Sequence, residues 1–376
     1  MNKKLHILFL NSWYPSRVLP INGDFIQRHA EAVSLQHQVT SIHIITDPNC
    51  KQSIEIDKKE INGINTFIGY IKQTQNPIKK VYLFFRAYKN ILKEIGHIDL
   101  VHLNVLYPFG IFALHLKWFR KKPFIISEHW TGYQRYGNHK VSLIHKFTSI
   151  IITKNASYIC PVSKNLENSM VLNGLKGNYN VIPNVVDTGI FVPKENVNDR
   201  FTMLHVSSMV NDHKNVEGIL DVVSKLKENI PNFQLYLIGN GSNAYNSLIT
   251  DLSLNENVTV IDQIDHSRIA HFMQQSDIFI LFSNYENLPC VILESFSCGL
   301  PVISTNVGGI AEYFPDNFGQ LIPKNDKNAL LKAITSYHNT NAKQSKIKMH
   351  KYVKSNLSPA IICNNFTELY NKSLTY

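Results

Sequence analysis

The chain is short of cysteine, of acidic charge and of long apolar runs, and each shortage removes a class of protein. Only five cysteines (Cys50, Cys160, Cys290, Cys298, Cys363) occur in 376 residues. They are odd in number and lack CxxC or Cys/His spacing, so no disulfide framework or zinc site is expected and a reducing cytoplasm suits them. No uninterrupted apolar stretch approaches the roughly 20 residues of a membrane span. The start, Met1-Asn2-Lys3-Lys4, is basic. The apolar run Leu5–Leu10 that follows is broken by His6 and meets Asn11, Ser12 and Trp13 without a small-residue cleavage site, which reads as a first β-strand and not a secretory leader. Acidic residues number 28 against 38 Lys and Arg, a net charge of +10. That surplus attracts phosphate, whether on nucleic acid, an anionic membrane or a phosphorylated small molecule. Composition alone does not choose among them.

What is present is a globular balance, 44% hydrophobic and 18% charged, over a length that suits two domains of roughly 150–200 residues. Short apolar runs alternate with helical patterns throughout, the mark of parallel α/β architecture. Strands are expected at Leu5–Leu10, Val39–Ile45, Leu100–Leu103, Pro123–Ser127 and Tyr158–Val162, with helices such as Phe25–Leu35 and Val81–Ile95 between them. A second series runs through Thr202–Val206, Phe233–Ile238, Val258–Val260, Ile278–Leu281 and Pro301–Thr305. Turn residues collect at Ile182-Pro183-Asn184-Val185-Val186-Asp187, ahead of the polar stretch Lys194–Arg200, which sets the domain boundary near 185/186. Ligands of open α/β sheets bind beyond the carboxyl ends of strands, so two facing doubly wound sheets are expected to enclose a cleft.

The densest chemical signal follows the strand at Ile278–Leu281: Ser283-Asn284-Tyr285-Glu286-Asn287-Leu288-Pro289-Cys290-Val291-Ile292-Leu293-Glu294. Pro289 reads as the first residue of a helix, where its missing N–H costs nothing. Backbone N–H groups around Leu288, Cys290 and Val291 would then form an anion site for a diphosphate. Glu286 falls on the loop and Glu294 about two turns into the helix. Such carboxylates suit the vicinal hydroxyls at different parts of an elongated ligand better than a shared proton. The bland alternative is that Glu294 is a helix-surface charge and Glu286 answers the helix dipole. A carboxylate inside so apolar a helix argues against it. Beyond the next strand, Gly308-Gly309 allows a backbone to approach a ligand closely.

These segments resemble the retaining glycosyltransferases of family 4, which have the two-domain GT-B fold. The resemblance rests on the E-x7-E of Glu286 and Glu294, Gly299-Leu300-Pro301-Val302, and Gly308-Gly309-x-x-Glu312. Upstream it takes in Val162-Ser163, Ile182-Pro183-Asn184-x-x-Asp187 with Phe191, Lys214-Asn215 and Gly239-x-Gly241. It implies two Rossmann-like domains, residues 1–185 for the acceptor and 186–355 for the nucleotide sugar, with a terminal helix over 356–376 crossing back to the first. It implies that Glu286 contacts the donor sugar and Glu294 holds the ribose hydroxyls, with Gly241, Asn287, Leu288, Pro289, Cys290 and Val291 also lining the donor site. Lys214 would neutralise the leaving diphosphate. The family often has an arginine about five residues before this lysine, whereas Val206–His213 holds none. Gly usually follows the asparagine at position 184, and a glycine often occupies the place of Asp262.

In the first half, Gly23, at the mouth of a helix whose cap is expected to be Asp24, matches the family's phosphate-facing glycine loop. His129, after the strand Pro123–Ile126, matches its histidine at the reacting centre, with Glu128 as a rival polar group. The reaction implied is transfer of a hexose from a nucleoside diphosphate sugar, UDP-linked in preference to GDP-linked, to a glycan or lipid-linked acceptor of a cell-surface polysaccharide. The chain has no Asp-x-Asp, the metal-binding signal of the other major transferase fold, so charge stabilisation without metal or cofactor is expected. Two segments, Lys79–Lys89 and Lys117–Lys122, mix basic and aromatic residues and suggest a cytoplasmic enzyme lying against an anionic membrane surface. Their plainer reading puts the aromatics in the core and the lysines in water. The competing functions are a nucleotide-sugar epimerase and a non-catalytic glycan-binding subunit. A nucleic-acid partner is disfavoured because no recognised motif accompanies the charge.

Overall fold

The structure is a computed structural model that describes residues 4–134, 142–195, 199–340 and 345–375; Met1–Lys4 and Lys194–Arg200 therefore fall partly outside it. The chain divides into two compact units, Met1–Val185 with Pro359–Tyr376, and Val186–Ser358.

The first unit is a seven-stranded sheet in the order β3-β4-β2-β1-β5-β6-β7. Its strands are β1 (His6–Asn11), β2 (Gln38–Asp47), β3 (Ile54–Ile61), β4 (Ile64–Lys72), β5 (Leu100–Asn104), β6 (Phe124–Glu128) and β7 (Tyr158–Pro161). All pairs are parallel except β3–β4. That pair departs from the purely parallel expectation. Its cause is local: Asn62 (φ 50°) and Gly63 (φ 77°) form a tight hairpin turn between a half-charged edge strand and a mostly buried one. Helices α1 (Asp24–Ser34), α2 (Pro77–Glu94), α3 (Gly110–Arg120), α4 (Leu143–Asn155) and α5 (Lys164–Leu172) connect the strands. Asn76, Ser142 and Ser163 cap α2, α4 and α5 through their side-chain oxygens, each worth about 1 kcal/mol.

The second unit has six parallel strands in the order β10-β9-β8-β11-β12-β13. They are β8 (Phe201–Val206), β9 (Phe233–Ile238), β10 (Val258–Ile261), β11 (Ile278–Leu281), β12 (Val302–Thr305) and β13 (Gly319–Ile322). Counted from its own first strand this is the 3-2-1-4-5-6 order of a dinucleotide-binding fold. Its helices are α6 (Asn211–Lys214), α7 (Val216–Leu226), α8 (Asn246–Asp251), α9 (His266–Gln274), α10 (Cys290–Ser297), α11 (Lys327–Thr340) and α12 (Lys346–Leu357).

The last helix, α13 (Pro359–Leu374), belongs to the first unit, where Ile362, Phe366, Leu369 and Tyr370 join its core. Histidines hold it there. His37 Nε2 meets Thr367 Oγ1 at 2.8 Å, His102 Nδ1 meets the Tyr370 hydroxyl at 2.7 Å, and His29 packs edge-on against Phe366. Burial lowers the pKa of His29 and of His43 from 6.5 to about 4. Below about pH 6.5 the unfolded chain takes up protons that the folded unit refuses, so stability falls as pH drops toward 4. By about pH 5 each of the two should cost about 2 kcal/mol. We expect the urea midpoint of the first unit to fall between about pH 7 and about pH 5, and to fall less in His43→Phe. A midpoint indifferent to pH over that interval would contradict the neutral, buried histidines.

Candidate active site

In the second sheet β8 and β11 are neighbours, yet the chain leaves β8 toward β9 on one side and β11 toward β12 on the other. Such a reversal opens a crevice at the carboxyl edge, and the loops after both strands meet there. Asn284 joins them: its N–H donates to His213 O at 2.7 Å and its Nδ2 to Asp212 O at 3.0 Å. His213 and Tyr285 lie ring against ring, centroids 4.3 Å apart. The next residue on each side completes the contact, with Lys214 Nζ 2.5 Å from Glu286 Oε1. Both side chains are largely buried, so this is a pair in a low-dielectric setting and not a surface bridge.

Glu286 is aimed by its surroundings. Ser283 Oγ donates to the same Oε1 at 2.7 Å, and Thr305 Oγ1, at the end of β12, donates to Ser283 O at 2.7 Å. Gly308 (φ 61°) lies so close that a Cβ there would overlap the Glu286 carbonyl oxygen, and Gly309 N–H donates to Asn287 O at 2.8 Å. The paired glycines thus serve the loop that carries Glu286, whatever else they approach. The β8 side is fixed in the same way. His205 bridges Ile280 O and Ser207 Oγ at 2.8 Å each, and burial lowers its pKa to about 4, keeping it neutral. Gly241 (φ 85°), on the loop after β9, faces open space, with nothing within 4 Å of an added Cβ.

Helix α10 begins at Cys290, so Pro289 (ψ 122°) is the cap and not the first helical residue. Glu294 is its fifth residue, a little over one turn in and not two, and only 2% exposed. Leu288 is buried, whereas Cys290 and Val291 are half-buried in the opening turn, where backbone donors precede the intrahelical ladder. Glu286 and Glu294 therefore occupy different elements, a loop and a buried helix face.

In the first unit the sequence left His129 and Glu128 as rivals. Glu128 is wholly buried, and its carboxylate accepts from Leu106 N–H (3.0 Å), His129 N–H (2.8 Å) and Trp130 N–H (2.9 Å). Burial raises its pKa and these donors pull it back. Its lone pairs are spent on ordering the loops after β5 and β6. His129 packs against Phe25 at 4.5 Å, with the Asn184 side chain beside it. Burial, with His29 and His102 nearby, holds it well below the ordinary 6.5, so it offers a neutral imidazole. Gly23 (φ 75°) is itself the cap of α1, and a Cβ there would lie 2.7 Å from the Trp13 carbonyl carbon. Asp24 is not the cap: it is the first helical residue and pairs with Arg28 at 3.2 Å.

Against known families the chain divides where its units do. The family described as Glycosyltransferase Family 4 matches residues 29–189, and Glycosyl transferases group 1 matches residues 188–354. The chain belongs to the family 4 glycosyltransferases. It is 27% identical over 254 residues to a phosphatidylinositol N-acetylglucosaminyltransferase subunit of Arabidopsis thaliana, covering 65% of this chain and 56% of that protein. The chain thus spans little more than half the length of that relative. Among solved structures, sucrose-phosphate synthase of Thermosynechococcus elongatus aligns over 99% of this chain and all of its own, with TM-score 0.79 and 20% identity. The Anabaena protein HepE in complex with UDP-glucose aligns over 98% and 100%, with TM-score 0.73 and 16% identity. These likenesses place both Rossmann-like units in the GT-B fold.

In this family 4 glycosyltransferase the loop before Lys214 lacks the arginine that the resemblance led one to expect. The position five residues earlier is Met209, buried in the second unit's core with φ 56°, its carbonyl accepting from the Tyr245 hydroxyl at 2.7 Å. That loop holds no second Lys or Arg, and His213, the residue that could stand in for one, lies against Tyr285. Ser283, Thr305 and Asn284 order the Lys214–Glu286 pair, a part not assigned to them from the sequence. Their signal was position, two just after β11 and one at the end of β12. Gly308→Ala tests the arrangement. It should displace Glu286, cost about 2–4 kcal/mol of second-unit stability and depress transfer, as thermal unfolding and turnover would show. An alanine tolerated at no cost would mean that the Glu286 loop is not held as described.

Proposed function

We propose that the chain moves a hexose from a nucleoside diphosphate sugar to a glycan or lipid-linked acceptor, with retention at the anomeric carbon and without a metal. The carrying observation is the largely buried Lys214–Glu286 pair at the topological switch point, on the loop that leads into the helix bearing the buried Glu294. The Lys214 ammonium keeps protons to share beyond Glu286. Together with the opening turn of α10 it supplies positive potential where a diphosphate leaves. Glu286, held by Ser283 and Lys214, accepts from sugar hydroxyls, and Glu294 accepts from ribose hydroxyls. Neither is assigned as acid or base. The departing phosphate takes the acceptor proton on the same face, so no protein nucleophile is required.

In the first unit the neutral His129 hydrogen-bonds a sugar hydroxyl, and the glycine turn at Gly23 takes donor phosphate. A uridine nucleotide is favoured because the Anabaena neighbour is bound to UDP-glucose. A lipid-linked acceptor in cell-surface polysaccharide assembly, met at the inner face of the membrane, is favoured by two things. The plant relative's name gives phosphatidylinositol as its substrate, and the first unit has a basic, apolar outer face.

Glu294→Gln should weaken UDP binding about tenfold by calorimetry, the size of one charge-assisted hydrogen bond. Glu286→Gln should leave UDP affinity within a few-fold and lower turnover by about 10²-fold. Donor screening with product NMR separates the possible activities: a glycoside retaining the donor's anomeric configuration supports the proposal. An epimerised donor, binding without turnover, or wild-type turnover in both variants would each overturn it.

A further inference from the structure

Helices α2, α3 and α4 form one layer over the first sheet. Phe85 and Tyr88 of α2 pack on Phe112 of α3, and Trp118 Nε1 of α3 donates to Asn155 Oδ1 at the end of α4. Their buried faces are ordinary: Leu83, Tyr88 and Phe112 point into the unit. Their outward faces are not. Ile78 and Tyr82 on α2, Trp118 and Phe119 on α3, and Ile144 and Phe147 on α4 are all exposed, Phe119 to 76% and Ile144 to 74%. A water-facing helix layer seldom keeps so much apolar surface without a use for it.

The charge of the same layer is one-sided. The three helices hold five, two and two Lys or Arg and a single acid, Glu94, which is paired with Lys58. Nine basic residues less one acid leave +8 on these helices, against +10 for the entire chain. Almost the whole net charge therefore sits where the exposed aromatics are. A polyanion such as nucleic acid accounts for the lysines but leaves Ile144 and Phe147 in water. A bilayer with anionic headgroups takes both, the rings entering the interface while lysine stems reach up to phosphate.

We propose that the α2–α3–α4 layer is the surface by which the first unit docks on an anionic bilayer. The docking brings a lipid-borne acceptor to the chemistry, a role that rests on the transferase reading above. The apolar opening turn of α4 stands at the carboxyl edge of the sheet. There His145 stacks on Tyr107 at 4.3 Å and on Trp130 at 5.2 Å, residues that follow β5 and β6, and Trp130 adjoins His129. An acceptor anchored in the membrane meets that edge without leaving its lipid.

The test is flotation of the full chain with vesicles of phosphatidylcholine alone or mixed with phosphatidylglycerol. Binding should be at least about tenfold stronger to the mixed vesicles and should weaken with salt. Lys79→Glu with Lys80→Glu should lower it by about tenfold or more, from about 1 kcal/mol per lysine. Phe119→Ser with Ile144→Ser, which changes no charge, should also lower it about tenfold. No binding, equal binding to both vesicles, or an unaffected apolar double variant would overturn the proposal, as would binding to duplex nucleic acid in place of vesicles. UDP affinity measured without vesicles should be unchanged in every variant. Its loss in the unaltered protein would count against the donor reading and leave the vesicle result standing.

Discussion

Lys214 and Glu286 are 72 residues apart in sequence and touch because the second sheet reverses its strand order between β8 and β11. Everything near them serves that contact. Asn284 ties one loop to the other, Ser283 and Thr305 aim the carboxylate, and Gly308 lets the next turn come within a distance no side chain permits. A buried ion pair is a poor source of stability, since removing two charges from water offsets most of their attraction. The pair therefore adds little to the fold, which fits the ligand-binding role proposed for it.

The two units use a buried glutamate for opposite ends. Glu128 turns its oxygens toward three backbone N–H groups of its own and a neighbouring loop. Glu286 meets a lysine and a serine at a sheet's ligand-binding edge. The two share a residue type and lie at carboxyl edges, Glu128 as the last residue of β6 and Glu286 on the loop after β11, and the difference lies in their partners. His129, displaced by one residue from the spent carboxylate, keeps its imbalance of polarity at the same edge.

Much of this was legible in the sequence. Every strand named from apolar runs is present, because fully buried parallel strands are continuous hydrophobic stretches with distinct turns. The hairpin Ile54–Lys72 was missed although its Asn62-Gly63 turn is the strongest short-range hairpin signal, since its edge strand is half charged and does not read as buried. Strand β13, four residues long with one buried, has too little pattern to declare itself. Glu294 lies nearer the helix start than expected, and one residue of that difference arises because a proline before a helix serves equally as cap or first residue, which only backbone dihedrals separate. The basic–aromatic segments split in a way no single-segment reading anticipates. Tyr88 goes to the core while Trp118 and Phe119 face water. Partners such as Asn184 for His129 bring together distant parts of the chain, and no local pattern records them.

Helix α13 gives the fold an order in time. His37 and Thr367 are 330 residues apart, and the helix contributes four core side chains to the first unit. A ribosome delivers the first sheet early but withholds the helix that covers α1 until the whole second unit has been made. The unit synthesised first is thus the one that finishes folding last, and its histidine-lined face waits in the open meanwhile.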